Sequence, residues 1–357
     1  MLSSSPLCLP SVLRLLLLLC LLPSLSSLSA PASKPTSKPT SPIPGMKPGT
    51  SGLRKKVSVW ESPGYLENFV QAAFDAWTEP GEGGEALFPR ACDAARDAAP
   101  FLLLAGDGRF FSHRAIRTIA AVAAGNGISL RVPQSLPPSF APGLMSTPAC
   151  SAFIRSEPDC LGGLLLTASH NPGGPDEDFG IKFNLAQGQP ADEAFTDRVY
   201  ERSLAIEEVL SFPLEDDAHL DLSAPPGTVY PLSGTATLTV VDPFPAYLES
   251  LRASFSFEKL RALASRPDFR LLFDGMHGAG GPFARRLLVE ELGLPERSLM
   301  RCDPRDDFGG GHPDPNLKYA ADLVAKMGLL PDASADPAFS GVEYTLGAAN
   351  DGDGDRH

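Results

Sequence analysis

The chain has 357 residues and a formal charge of −13, and 43% of its residues are hydrophobic. That length fits about two domains, and the hydrophobic content is enough for a buried core, which excludes a chain that is disordered throughout. The acidic balance argues against nucleic acid as the main partner, because an acidic surface repels phosphates. The composition therefore predicts a globular protein of about two domains.

The N-terminal part of the chain differs from the rest. Residues 1–30 contain an apolar run at Leu15–Leu22 that is shorter than a membrane span and is preceded by Arg14. Small residues follow it, an order typical of a signal or targeting segment; a short core helix is the alternative. Residues 31–46 are rich in Pro, Ser and Thr, so we expect a linker that forms no strand. Once the leader is removed, we expect no stable membrane span.

The cysteines and glycosylation signals give a different indication of compartment. Cys92, Cys150, Cys160 and Cys302 follow the leader at spacings that match no zinc site. No Asn-x-Ser/Thr glycosylation site is present in the sequence. The body therefore resembles a cytosolic enzyme, whereas the leader suggests entry into the secretory pathway or an organelle. Both localisations stay open at this point.

Hydrophobic patterning predicts alternating helices and strands in the first part of the body. Apolar residues at helical spacing indicate helices, and short continuous apolar runs indicate buried strands. The predicted elements are a helix over 65–77, a strand over 101–105, a helix over 114–124 with Ser112 as its N-cap, and a strand over 161–166.

The pattern restarts after a Pro-rich stretch at about 212–234, which suggests a domain boundary. Alternation of strands and helices favours an α/β fold with a mixed, mostly parallel sheet and helices on both faces. In such sheets, ligand loops follow the carboxyl ends of the strands. The predicted domains are 47–234 and 235–357, and the second contains strands at 236–241, 270–274 and 342–349 and helices at 282–292 and 318–327.

Three carboxylates alternate with glycines near the end of the chain, at Asp351, Asp353 and Asp355. Glycine lets the backbone turn so that the carboxylates can converge, and converging like charges raise one another's pKa unless a cation neutralises them. All-oxygen ligands suit Mg²⁺ or Ca²⁺. An EF-hand is excluded because Arg356 stands where that loop needs glycine. A solvated acidic turn stays open as the alternative to a metal site.

Two further loops have compositions that suit phosphate chemistry. The segment TASHNPGG (167–174) follows a predicted strand and contains Ser169 beside His170. It is not the G-x-S-x-G turn of hydrolases, and an ordinary polar turn is the alternative. The segment PGTSGLRKK (48–56) combines hydroxyls, glycines and three cations, which is typical of phosphate binding.

Together these loops resemble the α-D-phosphohexomutases, and most closely the eukaryotic-type phosphoglucomutases. The resemblance extends from about Lys47 to Arg356. The matching segments are KPGTSGLRKKV (47–57), GDGRFF (106–111), GLMSTPA (143–149), TASHNPGG (167–174), DFGIKFN (178–184), DGMHGAGGP (274–282), DFGGGHPDPNLKYAADLV (307–324) and DGDGDR (351–356).

The resemblance implies an isomerase of carbohydrate metabolism that interconverts glucose 1-phosphate and glucose 6-phosphate. Ser169 would be the phosphoserine that donates and accepts the phosphoryl group, with glucose 1,6-bisphosphate as intermediate and activator. The partners would thus be small sugar phosphates, not nucleic acid. Domain I (47–234) would carry the phosphoserine loop and domain II (235–357) the metal loop.

The resemblance also implies roles for individual residues. The Mg²⁺ ligands would be Asp351, Asp353, Asp355 and the phosphate on Ser169. Lys182 would be the general acid/base, with a pKa lowered by a cation-rich site. The remaining expected site residues contact phosphates or hold the loop: His170, Thr50, Ser51, Arg54 and Arg356.

Three features depart from the family pattern. The family has a strand before the KPGTSG loop, which residues 31–46 are too rich in proline to form. Family members continue through a sugar-binding third domain and a phosphate-binding fourth domain, whereas this sequence ends just after the metal loop, as a fragment or truncated gene model would. We therefore expect little mutase activity from residues 1–357 alone. Asn350 stands where the family usually has an apolar residue. The alternative is a non-catalytic regulatory or binding phosphoprotein of the same family; the oligomeric state is not predicted.

Overall fold

The computed structural model describes residues 35–78, 100–137, 141–214, 220–339 and 344–357. The predicted leader and Cys92 lie outside these residues. The described residues belong to one compact unit. None of their helices is long and apolar enough to cross a membrane.

A seven-stranded sheet forms the centre of the unit. Its strands are β2 (Leu53–Lys56), β3 (Phe101–Gly106), β4 (Ser129–Pro133), β5 (Cys160–Leu166), β6 (Asp178–Leu185), β8 (Val229–Ser233) and β9 (Ala236–Val241). Two further strands, β1 (Thr36–Pro39) and β7 (Glu208–Ser211), lie outside this sheet. The strand order is β2-β6-β5-β3-β4-β9-β8. The middle strands β5, β3, β4 and β9 run parallel, while β2, β6 and β8 pair antiparallel with their neighbours.

Helices cover both faces of this sheet. Side chains alternate between the faces along a strand, so Leu102 and Leu104 of β3 belong to one core and Leu103 to the other. This explains why β3 is apolar at every position. The helices are α1 (Val57–Trp60), α2 (Tyr65–Thr78), α3 (Ser112–Gly125) and α5 (Glu193–Ala205), with α4 (Thr147–Ser156), α6 (Phe244–Ser254) and α7 (Phe257–Ala264).

A second, three-stranded sheet follows in the chain, and all its pairings are parallel. Its strands are β10 (Leu271–Asp274), β11 (Leu299–Met300) and β12 (Leu346–Ala349), in the order β11-β10-β12. The helices of this part are α8 (Gly280–Ala284), which continues as a π-helix over Arg285–Glu291, and α9 (Ala321–Lys326). Short 3₁₀ turns lie at Glu296–Ser298 and Phe308–Gly310. The mixed α/β fold predicted from the sequence is confirmed.

Two local expectations are wrong. Residues 31–46 were expected to contain no strand, but β1 pairs antiparallel with β7. Pro39 ends this two-stranded ribbon at Glu208, a position where the missing N–H is tolerated. Ser112 is not an N-cap: α3 begins at Ser112 itself, after Phe111 in a left-handed conformation, φ 77°.

The strand β9 bears on the predicted domain boundary. It was assigned to the second domain, yet it pairs with β4 of the large sheet. The Pro-rich stretch before it contributes β8, which pairs with β9. The division between residues 234 and 235 stays a prediction.

Candidate active site

Two loops are in direct contact: residues 167–174, where the phosphoserine is expected (the phosphoserine loop), and residues 351–356 (the aspartate loop). Ser169 lies in the loop after β5, and Asp351 lies in the loop after β12. The Ser169 hydroxyl donates a hydrogen bond to Asp351 Oδ2 at 2.7 Å. Ser169 is only 2% exposed. Each residue follows the carboxyl end of its strand, as the sequence predicted for the ligand loops, and their hydrogen bond joins loops of two different sheets.

The backbone of Ser169 is left-handed, with φ 55°. A serine in this region is strained, and such strain persists only where the surroundings hold it. Here the Ser169 N–H donates to Thr167 Oγ1 at 2.8 Å, and the Ser169 carbonyl accepts from Arg109 Nη2 at 2.9 Å. The hydroxyl is thus presented by a conformation that neighbouring side chains fix.

The aspartate loop brings its three carboxylates together. One oxygen from each of Asp351, Asp353 and Asp355 lies within 4.8 Å of the others. The backbone N–H groups of Asp355 and Arg356 donate to Asp351 Oδ1 at 3.0 and 3.1 Å, which fixes the turn. Burial, and then the charge of Asp353, raise the pKa of Asp351 to about 7. The like charges thus oppose one another, as the sequence predicted.

Lys182 of β6 supplies the nearest positive charge. Its Nζ lies 2.7 Å from Asp353 Oδ2 and 3.1 Å from Asp355 Oδ2. Burial lowers the pKa of Lys182, but the two carboxylates outweigh burial and the pKa is raised. Burial likewise opposes ionisation of Asp353, yet Lys182 lowers the pKa of that carboxyl. The expectation of a lowered pKa for Lys182 is wrong, because its contacts are carboxylates.

The aspartate loop fits a hard divalent cation. Its donor set consists of carboxylate oxygens, which Mg²⁺ and Ca²⁺ prefer. Asp353 is 1% exposed, and its Oδ1 has no hydrogen-bond partner among the described residues. A buried carboxylate oxygen without a partner is costly, and a bound cation would remove that cost.

The expected phosphate-binding cations lie around the same loops. Arg356 donates from Nη1 to His170 Nδ1, and its Nε lies 4.0 Å from Asp351 Oδ2. Burial, and then the charge of Arg356, lower the pKa of His170. Arg54 is half-buried: burial lowers its pKa while the Asp353 carboxylate raises it. Arg54 and Arg356 therefore form the positive part of the site, and His170 lies beside them with its neutral form favoured.

Thr50 and Ser51 are exposed on the turn between Gly49 and Gly52. The next residue, Gly52, has φ 80°, and a Cβ there would lie 2.2 Å from the Ile181 carbonyl oxygen. Only glycine allows this close approach to β6. Backbone geometry therefore ties the turn to the strand of Lys182. Within the described residues, the Thr50 and Ser51 hydroxyls make no hydrogen bond to the aspartate loop.

Two residues in contact with the site, Arg109 and Thr147, were given no role from the sequence. Arg109 contacts the Ser169 carbonyl. Thr147, which opens α4, donates from Oγ1 to Asp353 Oδ2 at 2.8 Å and from its N–H to the Asp353 carbonyl at 2.7 Å. Both residues lie in segments of the family resemblance, GDGRFF and GLMSTPA. Their contacts depend on residues far along the chain, which the sequence pattern does not reveal.

Comparison with family models agrees with this geometry. Residues 45–210 match the model of phosphoglucomutase/phosphomannomutase alpha/beta/alpha domain I, and residues 245–357 match that of domain II. The first match includes Ser169 and Lys182, and the second includes the aspartate loop.

Individual relatives agree as well. The chain is 44% identical over 323 residues to a cytoplasmic phosphoglucomutase of Populus tremula and 42% identical over 317 residues to a phosphoglucomutase of Schizosaccharomyces pombe. Each alignment covers 88% of this chain and 50% of the relative, so the chain spans about half the length of the curated relatives it matches.

A solved structure is similar over the same part of the chain. The exocytosis-sensitive phosphoprotein pp63/parafusin, a phosphoglucomutase from Paramecium, in its open form, is 42% identical, with a TM-score of 0.77. The match covers 90% of this chain and 53% of that one. With its two matched domains and its touching serine and aspartate loops, the chain belongs to the phosphoglucomutase/phosphomannomutase family.

Proposed function

We propose that this chain provides the phosphoserine and metal centre of a phosphoglucomutase, which interconverts glucose 1-phosphate and glucose 6-phosphate through glucose 1,6-bisphosphate. The observation that carries the proposal is the 2.7 Å contact between the Ser169 hydroxyl and Asp351, inside a loop with an unpartnered buried carboxylate oxygen. A nucleophilic hydroxyl beside a cation site is what phosphoryl transfer needs, because its catalysis is mostly positioning and charge stabilisation.

In this proposal Ser169 carries the phosphoryl group. The oxygens of Asp351, Asp353 and Asp355, with the phosphate on Ser169, would hold Mg²⁺. Bound there, the ion would supply charge neutralisation for the phosphoryl oxygens. The left-handed turn at Ser169 points to a fixed hydroxyl, so little reorganisation is needed for attack.

The basic side chains of the site have separate proposed tasks. Lys182 stays protonated between Asp353 and Asp355, so it suits donation of a proton to the sugar oxygen that leaves as the phosphoryl group moves to Ser169. Arg54, His170 and Arg356, with the hydroxyls of Thr50 and Ser51, would orient the substrate phosphates. The bidentate guanidinium is well suited to phosphate oxygens.

Burial bears on the alternative, a regulatory phosphoprotein without catalysis. A separate kinase would have to reach the Ser169 hydroxyl from solvent, but this residue is 2% exposed and hydrogen-bonded to Asp351. A small bisphosphate enters such a site more easily than a kinase. We therefore favour self-phosphorylation from a sugar bisphosphate.

The relatives also suggest a compartment. The Populus relative is named as a cytoplasmic phosphoglucomutase. On this basis we propose that the enzyme acts on cytoplasmic sugar phosphates. The leader predicted over residues 1–30 lies outside the described residues, and localisation of the tagged full chain by microscopy would test this proposal.

The test of the catalytic proposal is transfer of one phosphate to Ser169. Little mutase turnover is expected of residues 1–357 alone, so the assay follows a single transfer to its end point and not steady-state turnover. The 357-residue chain is incubated with an excess of glucose 1,6-bisphosphate and MgCl₂ until the reaction stops, and the product is analysed by intact mass and peptide mapping. We expect one added phosphate, located on Ser169 and absent in Ser169→Ala. Ser156→Ala is a matched control, because its hydroxyl donates to the Phe153 carbonyl within α4, away from the phosphoserine loop. Phosphate on another residue, unchanged in Ser169→Ala, would refute the proposal.

A further inference from the structure

We propose that Asp107 and Arg109 are a buried positioning pair that holds Ser169 in the conformation required for phosphoryl transfer. This inference rests on the proposed function. Both residues lie in the turn after β3, and β3 is the direct neighbour of β5, the strand that precedes the phosphoserine loop. Arg109 is 1% exposed and Asp107 is fully buried, so neither is placed to meet a substrate in solvent.

Arg109 binds three backbone carbonyls through its guanidinium, two in the phosphoserine loop and one at the start of β6. A single planar group that contacts several carbonyls fixes their relative positions, because its donors have a rigid fork geometry. The contacts run from Nη2 to the Ser169 carbonyl at 2.9 Å, from Nη1 to the Asp178 carbonyl at 2.8 Å and, more weakly, from Nη1 to the Asn171 carbonyl at 3.4 Å.

Asp107 binds both the Arg109 guanidinium and the Thr167 hydroxyl. Arg109 Nε lies 3.0 Å from both Asp107 oxygens, and Arg109 Nη2 lies 2.9 Å from Oδ2. Asp107 Oδ2 also accepts from the Thr167 hydroxyl at 2.6 Å, and that hydroxyl accepts from the Ser169 N–H at 2.8 Å. The pair therefore reaches Ser169 twice, at its N–H through Thr167 and at its carbonyl directly.

The strained residue lies between these two contacts. Ser169 has φ 55°, a conformation that is costly for any residue except glycine. Hydrogen bonds on both sides of that torsion hold the N–H and the carbonyl where the left-handed turn requires them. Relaxation of this turn would move the hydroxyl away from Asp351.

A second packing contact keeps the guanidinium in place. Its carbon lies 5.1 Å from the ring centre of Phe308, a distance suited to a cation–π contact. Phe308 is itself buried, and a Cβ on Gly173 of the phosphoserine loop would lie 2.9 Å from its ring. The guanidinium is therefore enclosed between the loop that it positions and a segment of the second family domain.

The test compares Arg109→Lys with Arg131→Lys in the 357-residue chain. Lysine keeps the charge beside Asp107 but cannot bind the separate carbonyls. Arg131 is a matched control because it pairs with Glu157 and lies over the Phe101 ring rather than on the phosphoserine loop. Two quantities are measured: the rate at which glucose 1,6-bisphosphate phosphorylates Ser169, and amide hydrogen exchange in peptides covering 167–178.

We expect Arg109→Lys to slow phosphorylation of Ser169 by about 10- to 100-fold, the order expected for displacement of a reacting group by about 1 Å. We also expect faster exchange confined to the 167–178 peptides. Arg131→Lys should change neither quantity. Thr167→Val, which removes the relay hydroxyl and leaves the buried charges intact, should shift both quantities in the same direction by a smaller amount.

Two results would overturn the proposal. One is phosphorylation of Arg109→Lys within threefold of Arg131→Lys. The other is a uniform loss of protection along the chain in both Arg109→Lys and Thr167→Val, which would assign the pair to the fold alone. Failure of the proposed function gives a different pattern: the unmodified chain would not be phosphorylated at all, and hydrogen exchange in the 167–178 peptides would then decide the positioning role.

Discussion

Two isosteric substitutions in the aspartate loop are expected to change stability in opposite directions. Asp351→Asn removes one of two neighbouring buried carboxylates and leaves Lys182 with both of its partners. Asp353→Asn removes the carboxylate that is nearest to Lys182. The ammonium, whose side chain is 10% exposed, then keeps only Asp355. The two changes are chemically identical, so any difference reports the position of Lys182.

The magnitudes follow from distance and burial. Two unit charges at the 4.8 Å limit repel by about 3.5 kcal/mol at an effective dielectric constant of about 20. Because Lys182 offsets part of this repulsion, we expect Asp351→Asn to raise the free energy of unfolding by about 1–3 kcal/mol. Removing one partner of a buried ion pair costs about 3–5 kcal/mol, and the remaining Asp355 should reduce that loss for Asp353→Asn to about 2–4 kcal/mol.

Hydrogen bonding should not obscure this difference. In Asp351→Asn, the carbonyl oxygen of the new amide can still accept from the N–H groups of Asp355 and Arg356, and its NH₂ group can donate to the Ser169 hydroxyl oxygen. In Asp353→Asn, the amide oxygen can likewise accept from Thr147. Charge is therefore the main property that changes in each variant.

The assay is thermal unfolding at pH 8, above the pKa of about 7 for Asp351, so that both carboxylates are ionised. In EDTA we expect Asp351→Asn to melt above the unmodified protein and Asp353→Asn below it, by about 2 °C for each kcal/mol. With MgCl₂ the unmodified protein should gain stability and both variants should lose most of that gain. Shifts of the same sign and size for both variants in EDTA would refute the account of Lys182.

Three further predictions concern the same loops and their support. Lys182→Met should lower the free energy of unfolding in EDTA by about 3–5 kcal/mol, because the buried carboxylates lose their counter-charge. MgCl₂ should restore part of the lost stability, and a variant that gains no stability from Mg²⁺ would contradict this explanation. Calorimetry should show tighter Mg²⁺ binding once Ser169 is phosphorylated, and equal affinities would disprove the phosphate as a ligand. In urea unfolding, Gly52→Ala should destabilise the protein by several kcal/mol more than Gly127→Ala. Both glycines have positive φ, but only the Cβ of Gly52→Ala would clash, 2.2 Å from the Ile181 carbonyl oxygen. Equal losses of stability in the two variants would count against that clash.

The strands that support the site were predictable because burial leaves a strong sequence signal. Phe101–Gly106 and Cys160–Leu166 are covered on both faces, and each was predicted from a continuous apolar run within one residue of its ends. The rule that ligand loops follow strand ends then located both loops, but only the family resemblance implied that Ser169 lies near the aspartates, because β5 and β12 belong to different sheets. The contact itself links residues 182 positions apart.

Other features depend on neighbours that a pattern does not specify. The pKa of Lys182 was expected to be lowered, but its direction is set by Asp353, which lies 171 residues away in the chain. Asp107 and Arg109 were given no role from the sequence, since nothing in GDGRFF reveals which carbonyls the guanidinium meets. The strand Thr36–Pro39 was missed because proline content was weighed without knowledge that β7 offers a pairing edge.

We propose that Ser169 carries a phosphoryl group between sugar phosphates. The most direct measurement is single-turnover discharge: protein phosphorylated on Ser169 is freed of bisphosphate, mixed with glucose 1-phosphate or glucose 6-phosphate and MgCl₂, and sampled by mass spectrometry. We expect phosphate to leave Ser169 and an equal amount of glucose 1,6-bisphosphate to form, with either sugar phosphate. Phosphate that stays on Ser169, or is released only as inorganic phosphate, would contradict the proposal.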